Sequence, residues 1–590
     1  MTKNHLLALL VLVVLAGVYL LPASNWLLHG RTRYFLSIGN DSTSLPFQFH
    51  VIREALKSSV TELLYGTIHT YQLNAPDGYG MWIPWLDRLI IGPASLVLPL
   101  ELLAVYLIWV VFVINGMTFY AFAKNEGWKN WISLSLAICF AFNSYVRARA
   151  VVHNSLSEIY FLPAIFLALR ILQKRTSRRS FVIGSALLLF ASLTAHYYIM
   201  ISVALAPLYI WFYLRDPGET RLPIARRFGK LLLAALPAVL FLVWNVTHPV
   251  HPKVPAGSEV VQKIPVYPHF LELFAAHPID YLAHDVGIGA LDLNPLREPI
   301  NRFVLSHMDY SLPWERSNGI RWSLLLLFGC AVVGYARSRF RKSHPQPSRS
   351  TLLFFILFTA AAFWLSLPPH FLSWNGYALG PSIWVQRLIP NFRVPSRFGP
   401  AVHFGVLAVV GTWLTLQQAR LKSERWEVVF AFAFPLILIL DYSPLQPMPM
   451  RPTLSNLAFL ERGPTRECGG GFYLPFLGGQ GLTADQEIEF YSQMQRLKDT
   501  HCSLAATTSE SQLDSQLMRT YGEQSPVSEY VNRFRKYVEC AGIDWIGFQA
   551  MMGEKDRQLI CDYLGWKRNG SDHCQAPQLR TLNPHPAECL

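Results

Sequence analysis

The sequence predicts a polytopic α-helical membrane protein of about eleven spans (residues 1–441) with a C-terminal extracytoplasmic mixed α/β domain (residues 442–590). Three observations predict it. The 590 residues are 52% hydrophobic and 15% charged, too apolar for a soluble chain of this length. Apolar runs of roughly 20 residues, the length that crosses a bilayer core, recur along the first three quarters of the chain. Six of the eight cysteines (Cys468, Cys502, Cys540, Cys561, Cys574 and Cys589) fall in the last quarter, after a proline-rich connection.

The expected spans lie near 5–22, 93–122, 130–145, 156–173, 181–196, 198–214, 229–246, 320–337, 351–368, 400–418 and 426–441. No small-residue cleavage site follows Leu21-Pro22, so the first run reads as an anchor and not as a signal peptide. Basic clusters fall on alternate connections: Lys3, Lys124 with Lys129, Lys174 to Arg179, Arg215 to Lys230, Arg337 to Lys342, and Arg420 to Arg425. Positive charge marks the cytoplasmic side. The N-terminus is therefore expected inside, and connections 23–92, 247–318 and 369–399 and the tail outside. An even set of cysteines on that side reads as disulfides in an oxidising compartment, with a pairing that spacing does not fix. The net charge of +13 is topological, because the basic residues do not form a stripe with interleaved aromatics. A nucleic-acid partner is not expected, and the chain carries no P-loop, dinucleotide-binding motif or internal repeat.

Connection 23–92 holds Ser37-Ile38-Gly39-Asn40-Asp41, and Asp41 is the first carboxylate in the chain. An acid beside a membrane surface suits a general base, and equally a turn or an N-cap. Pro46–Leu64 places Phe49, Ile52, Leu56, Val60 and Leu63 at helical spacing, as for a helix lying along the interface or one packed on its neighbours. Trp82, Trp85, Asp87 and Arg88 lead back to the membrane as an aromatic belt.

The next outer connection, Asn143 to Glu158, carries Arg147 and Arg149 against the charge rule. Arginine forks suit phosphate oxygens, so both are candidate substrate ligands; a salt bridge of Arg149 with Glu158 is the structural alternative. His153 and Glu158 are candidate catalytic groups facing the same outer hollow. His196, where two apolar runs meet, is a candidate substrate contact or an interfacial hydrogen-bonding residue. Connection 247–318 is expected to form short helices over the outer surface. Arg387, Arg393 and Arg397 form a second outward basic cluster, suited to a phosphate or to lipid headgroups. In the tail, Gly471–Leu477 and Ile543–Phe548 read as strands, and Thr483–Leu497 and Ser528–Tyr537 as helices.

Gly39-Asn40-Asp41, the Arg149 to Pro163 segment with its His153, the run Asn391-Phe392-Arg393-Val394-Pro395-Ser396-Arg397-Phe398, and Gly542 to Phe548 together resemble the GT-C superfamily of membrane glycosyltransferases, and within it the bacterial YfhO-like branch. That resemblance implies an inverting enzyme of the bacterial inner membrane. It would move a sugar from a polyprenyl-phosphate donor to a glycan, lipid or protein acceptor on the outer face. Asp41 would be the catalytic base, and Arg393 or Arg397 would meet the lipid phosphate. Many members carry a paired acidic motif, whereas Asn40 precedes Asp41 here, so no metal or other cofactor is expected. A lipid or polysaccharide transporter and a non-catalytic scaffold for envelope glycan assembly are the rival classes.

Overall fold

A computed structural model describes residues 3–20, 84–98, 100–152, 156–174, 177–215, 223–247, 271–272, 274–282, 317–340, 347–371, 380–389, 394–418 and 433–438, with short pieces elsewhere between 34 and 576. Asp41, His153, Arg393 and the tail helices expected at 483–497 and 528–537 lie outside the described residues. So does most of the interfacial helix expected at 46–64.

The described part is a helical bundle. Its helices are α1 (Lys3–Tyr19), α2 (Trp85–Ser95), α3 (Leu100–Asn125), α4 (Asn130–Ala141), α5 (Ser144–Val152), α6 (Phe161–Lys174), α7 (Arg178–Ser192), α8 (His196–Arg215), α9 (Ile224–Thr247), α10 (Trp322–Phe340), α11 (Pro347–Ser366), α12 (Pro381–Leu388) and α13 (Gly399–Gln418). Four stretches, within α3, α8 and α9 and from Pro395 through α13, are long and apolar enough to cross a membrane. The bent pair α4 and α5 would make a fifth, and α1, α10 and α11 are shorter apolar helices. On α9, Leu232, Leu236, Val239, Leu240 and Val243 are exposed at helical spacing, a stripe that faces lipid when the helix spans.

α13 is the buried centre. Its Phe404 ring meets Phe166 at 5.0 Å, Phe122 at 5.2 Å and Phe119 at 5.9 Å, so one residue joins α3, α6 and α13. Close ring packing is an effective adhesive where lipid removes the hydrophobic drive between helices. Glycine lets backbones approach: a Cβ on Gly411 would stand 2.3 Å from the Trp128 ring.

The bundle has two chemically distinct ends. At one, Arg170 and Glu126 form a buried two-bond pair, Nε to Oε1 at 2.7 Å and Nη2 to Oε2 at 3.1 Å, and Arg170 also bonds Gln173 and Thr351. Lys124, Lys174, Arg227 and Lys230 donate to the carbonyls of Trp128, Asn125, Tyr213 and Leu172 there, as cations do at helix ends. The expected basic clusters at Lys124, Lys174 and Arg215 to Lys230 thus gather at a single end. The opposite end holds the candidate site.

One expectation for the chain order is corrected. Residues 144–152 are a helix and not an open connection, set at 42° to α4. Asn143 makes the corner: its Nδ2 donates to the Phe140 carbonyl at 2.7 Å, and its Oδ1 accepts the Val146 amide at 2.9 Å. One side chain thereby closes α4 and caps α5.

In the tail, β1 (Gly470–Leu474), β2 (Ile543–Phe548), β3 (Lys567–Asn569) and β4 (His573–Gln575) form a sheet in the order β1-β2-β4-β3. The two strands read from the sequence pair in parallel. A parallel pair needs a crossover connection, which the intervening chain is long enough to supply. Tyr34–Phe35 also pairs antiparallel with Arg451–Pro452, bringing the start of the first long connection to the start of the tail.

Candidate functional site

The site is built around the extended segment Leu156-Ser157-Glu158 between α5 and α6. A short backbone run inside a bundle must have its carbonyls satisfied. Two helices and a turn supply the donors. The Tyr198 hydroxyl donates to the Leu156 carbonyl, Asn115 Nδ2 to Ser157 at 2.8 Å, and Thr194 Oγ1 to Glu158 at 3.2 Å. Glu158 therefore stands ahead of the α6 helix, held by α3 and by the α7–α8 turn.

Arg147 and Arg149 are both fully buried. Two residues apart on α5, they point to nearly opposite sides. The Arg147 guanidinium lies 5.4 Å from the Tyr19 ring of α1, and that of Arg149 5.0 Å from the Tyr145 ring. The Tyr145 and Tyr198 hydroxyls are 3.1 Å apart. Because the Leu156 carbonyl can only accept, the Tyr198 proton goes there and Tyr145 donates to Tyr198.

Arg397 arrives from the far half of the chain. It sits in the 3-10 turn Pro395–Phe398 before α13, 4.0 Å from the Tyr197 ring. Arg149 lies over Tyr145, whose hydroxyl meets that of Tyr198, and Arg397 lies over the adjacent Tyr197, so both arginine segments are fastened to the first turn of α8. The turn is pinned on both sides: the Ser396 amide donates to the Phe274 carbonyl at 3.0 Å, and Asn318 Nδ2 donates to the Ser396 carbonyl at 3.1 Å. Segment 271–282 of the connection 247–318 lies over this end, with the Ala276 amide on the Ser366 carbonyl and the Tyr281 hydroxyl on Ser366 Oγ.

The expected salt bridge of Arg149 with Glu158 does not form. Glu158 meets Asp87 of α2 instead, and both acids are fully buried. Their side chains hydrogen-bond to each other, yet neither carboxylate has a donor among the described protein groups. Two buried carboxyl groups side by side are compatible only when at least one of them is protonated. Burial pushes Asp87 up to about 6, against the lowering effects of the Glu158 hydrogen bond and the Arg88 charge. Burial first, then the Asp87 charge, raises Glu158 well above the usual carboxylate range. Among the described residues no cluster of three or more His, Cys, Asp or Glu could hold a metal.

Of the predicted site residues, Arg149, Arg397 and Glu158 are joined through Tyr198 and the segment 156–158, and Arg147 leans the other way, toward α1. His196 is exposed in the first turn of α8, with its ring 4.6 Å from that of Tyr197. Arg387 is exposed over Trp384, at 4.7 Å, so the basic cluster expected at 387–397 does not face one hollow as a whole. Asp87, Tyr145, Tyr197 and Tyr198 had not been singled out for chemistry. The available signal was an acid beside an arginine within an aromatic belt, which reads equally well as an interfacial anchor.

No family model matches the chain, and no curated protein matches it. Among solved structures it is similar to the mycobacterial arabinofuranosyltransferase AftD, at 14% identity and a TM-score of 0.49 over 96% of this chain and 37% of that one. A mutant form of AftD gives 12% identity and a TM-score of 0.48 over 94% and 37%. The apo oligosaccharyltransferase of Archaeoglobus fulgidus gives 12% identity and a TM-score of 0.40 over 92% and 69%. The chain thus spans little more than a third of the AftD length.

Proposed function

We propose that this protein is a membrane glycosyltransferase of the GT-C type, of the YfhO-like branch, using a polyprenyl-phosphate sugar on the outer face of a bacterial inner membrane. The observation that carries the reading is that Arg149 and Arg397 are both held by the Tyr197-Tyr198 turn, the first through Tyr145 and the second directly, beside the segment that presents Glu158. Two arginines at one end of an apolar bundle suit the phosphate of a lipid carrier, whose tail needs the surrounding apolar faces. The Tyr197 and Tyr145 rings fix both guanidinium groups in place, which favours binding without reorganisation.

In this reading the acceptor hydroxyl attacks the anomeric carbon and the bond from that carbon to the phosphate oxygen breaks. The electron pair leaves with polyprenyl phosphate, whose charge Arg149 and Arg397 neutralise. The acceptor proton passes to Asp41. Removing a general base of this kind slows transfer by about 10²- to 10⁴-fold. Transfer from a defined polyprenyl-phosphate sugar by the purified protein in nanodiscs, with Asp41→Asn beside wild type, tests the reading. Unchanged turnover in Asp41→Asn would remove Asp41 from the mechanism, and no transfer by wild type from any such donor would remove the enzyme. The tail stabilises the outer connections, and disulfides within it place it in an oxidising compartment.

The 42° break between α4 and α5, with two arginines just beyond it, favours a lipid transporter as the second reading. Movement of intact polyprenyl phosphate across liposomes, without sugar transfer, would select it.

A further inference from the structure

Asp87 lies in the first turn of α2, the helix that ends the first long connection. α2 is tied to the bundle at its N-terminal end and to the first long connection at its C-terminal end. The Leu86 amide donates to the Leu193 carbonyl at 3.0 Å, next to the Thr194 that holds Glu158. Arg53, from within the connection, donates to the Ser95 and Leu98 carbonyls at 2.7 and 2.8 Å. Between these anchors the buried contact of α2 with segment 156–158 is the carboxyl pair. Its other neighbours among the described residues are Arg88 on the same helix, Tyr160 in the turn leading into α6, and the Thr194 hydroxyl.

We propose that Asp87 and Glu158 form a one-proton latch that fastens the first long connection to the bundle, and that loss of that proton releases α2. The chemistry follows from burial. A carboxylic acid donating to a carboxylate makes a strong charge-assisted bond, whereas two carboxylates at that range, both removed from water, repel. Arg88 offsets one negative charge beside Asp87 and leaves the second without compensation at the pair. The sign follows from the upward shifts. Acids whose folded values are raised stabilise the folded form most fully at low pH, and that stability is lost as pH rises through the folded values. The protons leave the coupled pair in two steps, and the latch opens only at the second, when neither acid holds one. Because Arg53 joins the connection to α2, the latch is a positioning device for the chain that also carries Asp41.

Hydrogen exchange on the full-length protein in nanodiscs, at pH 6 to 9 and corrected for the chemical exchange rate, tests the latch on peptides covering α2. The local opening constant of wild type should climb with pH, approaching tenfold per unit where opening discards the shared proton. Asp87→Asn and Glu158→Gln place an amide donor in the pair and should flatten that climb while keeping α2 protected at pH 6. Protection of wild type that stays constant over the range would overturn the proposal, whether or not either variant folds. So would variants that keep the wild-type pH response. A rise in protection on adding Mn²⁺ above pH 7, lost in both variants, would overturn it in favour of a cation in the proton's place. The latch is independent of the transferase reading, since exchange is measured without turnover.

Discussion

The Arg397 guanidinium lies 4.0 Å from the centroid of the Tyr197 ring, and the hydroxyl of the next residue, Tyr198, meets at 3.1 Å that of Tyr145, the ring over which Arg149 lies. Adjacent residues at the start of α8 therefore orient one arginine and connect it, through two tyrosines, to another from α5. A stacked guanidinium keeps its fork in a fixed plane, a placement that lysine cannot reproduce.

Arg397→Lys and Arg397→Ala should both weaken retention of polyprenyl phosphate. A charge-assisted hydrogen bond contributes about 1.5–3 kcal/mol, so the loss should be roughly 10- to 100-fold in Kd. Equilibrium binding of a radiolabelled polyprenyl phosphate to nanodisc protein measures it. Wild-type affinity in Arg397→Lys would mean that the phosphate does not lie at this fork.

Gly399→Ala should damage the same site from behind. A Cβ at Gly399 would stand 1.8 Å from Asn318 Oδ1, and Asn318 is the side chain that holds the Ser396 carbonyl. Asn318 must leave, freeing the turn that carries Arg397, with an overpacking cost of about 1–3 kcal/mol. Gly329→Ala is the control. Nothing stands within 4 Å of its Cβ position, and alanine within a helix gains about 0.5–1 kcal/mol over glycine. Thermal unfolding should fall in the first and hold or rise in the second, and only the first should lose lipid phosphate.

Tyr198→Phe should leave the buried Leu156 carbonyl without its donor, at a cost of about 1–3 kcal/mol. Because Leu156 begins the segment that presents Glu158, exchange protection of peptides covering 156–160 should drop more than that of α6. An equal drop across both would mean that the hydroxyl stabilises the bundle generally and not this segment.

What the sequence revealed and what it concealed divide along physical lines. Apolar runs located α1, α3, α4, α6 to α11 and α13 and the β1 and β2 strands, because burial against lipid or core acts on every turn of a helix or strand. Arg149 and Arg397 were legible as well, because an arginine buried in an apolar bundle needs a compensating environment. The helix at 144–152 was hidden because its arginines lower its hydropathy to that of a loop, and only Asn143 marks its start. Asp87 was hidden for a deeper reason. Its pairing with Glu158 arises from the docking of α2 beside Leu193, a long-range contact that no local spacing encodes. Conversely, the salt bridge drawn between Arg149 and Glu158 from their closeness in sequence fails because Arg149 lies over the Tyr145 ring and Glu158 meets Asp87.

Glu126→Ala should separate stability from the site. Its partner Arg170 is buried, with only 5% of its side chain exposed, and Glu126 has 7% exposed. Removing the acid leaves a buried guanidinium without its carboxylate, an effect of about 3–5 kcal/mol in comparable pairs. The pair sits at the far end of α6 from Glu158, a distance of about 20 Å along the helix. Thermal stability should therefore fall while affinity for polyprenyl phosphate, measured below the unfolding range, stays at the wild-type value. A parallel loss of affinity would show that the two ends move as one, and would shift weight toward the transporter, which requires such coupling.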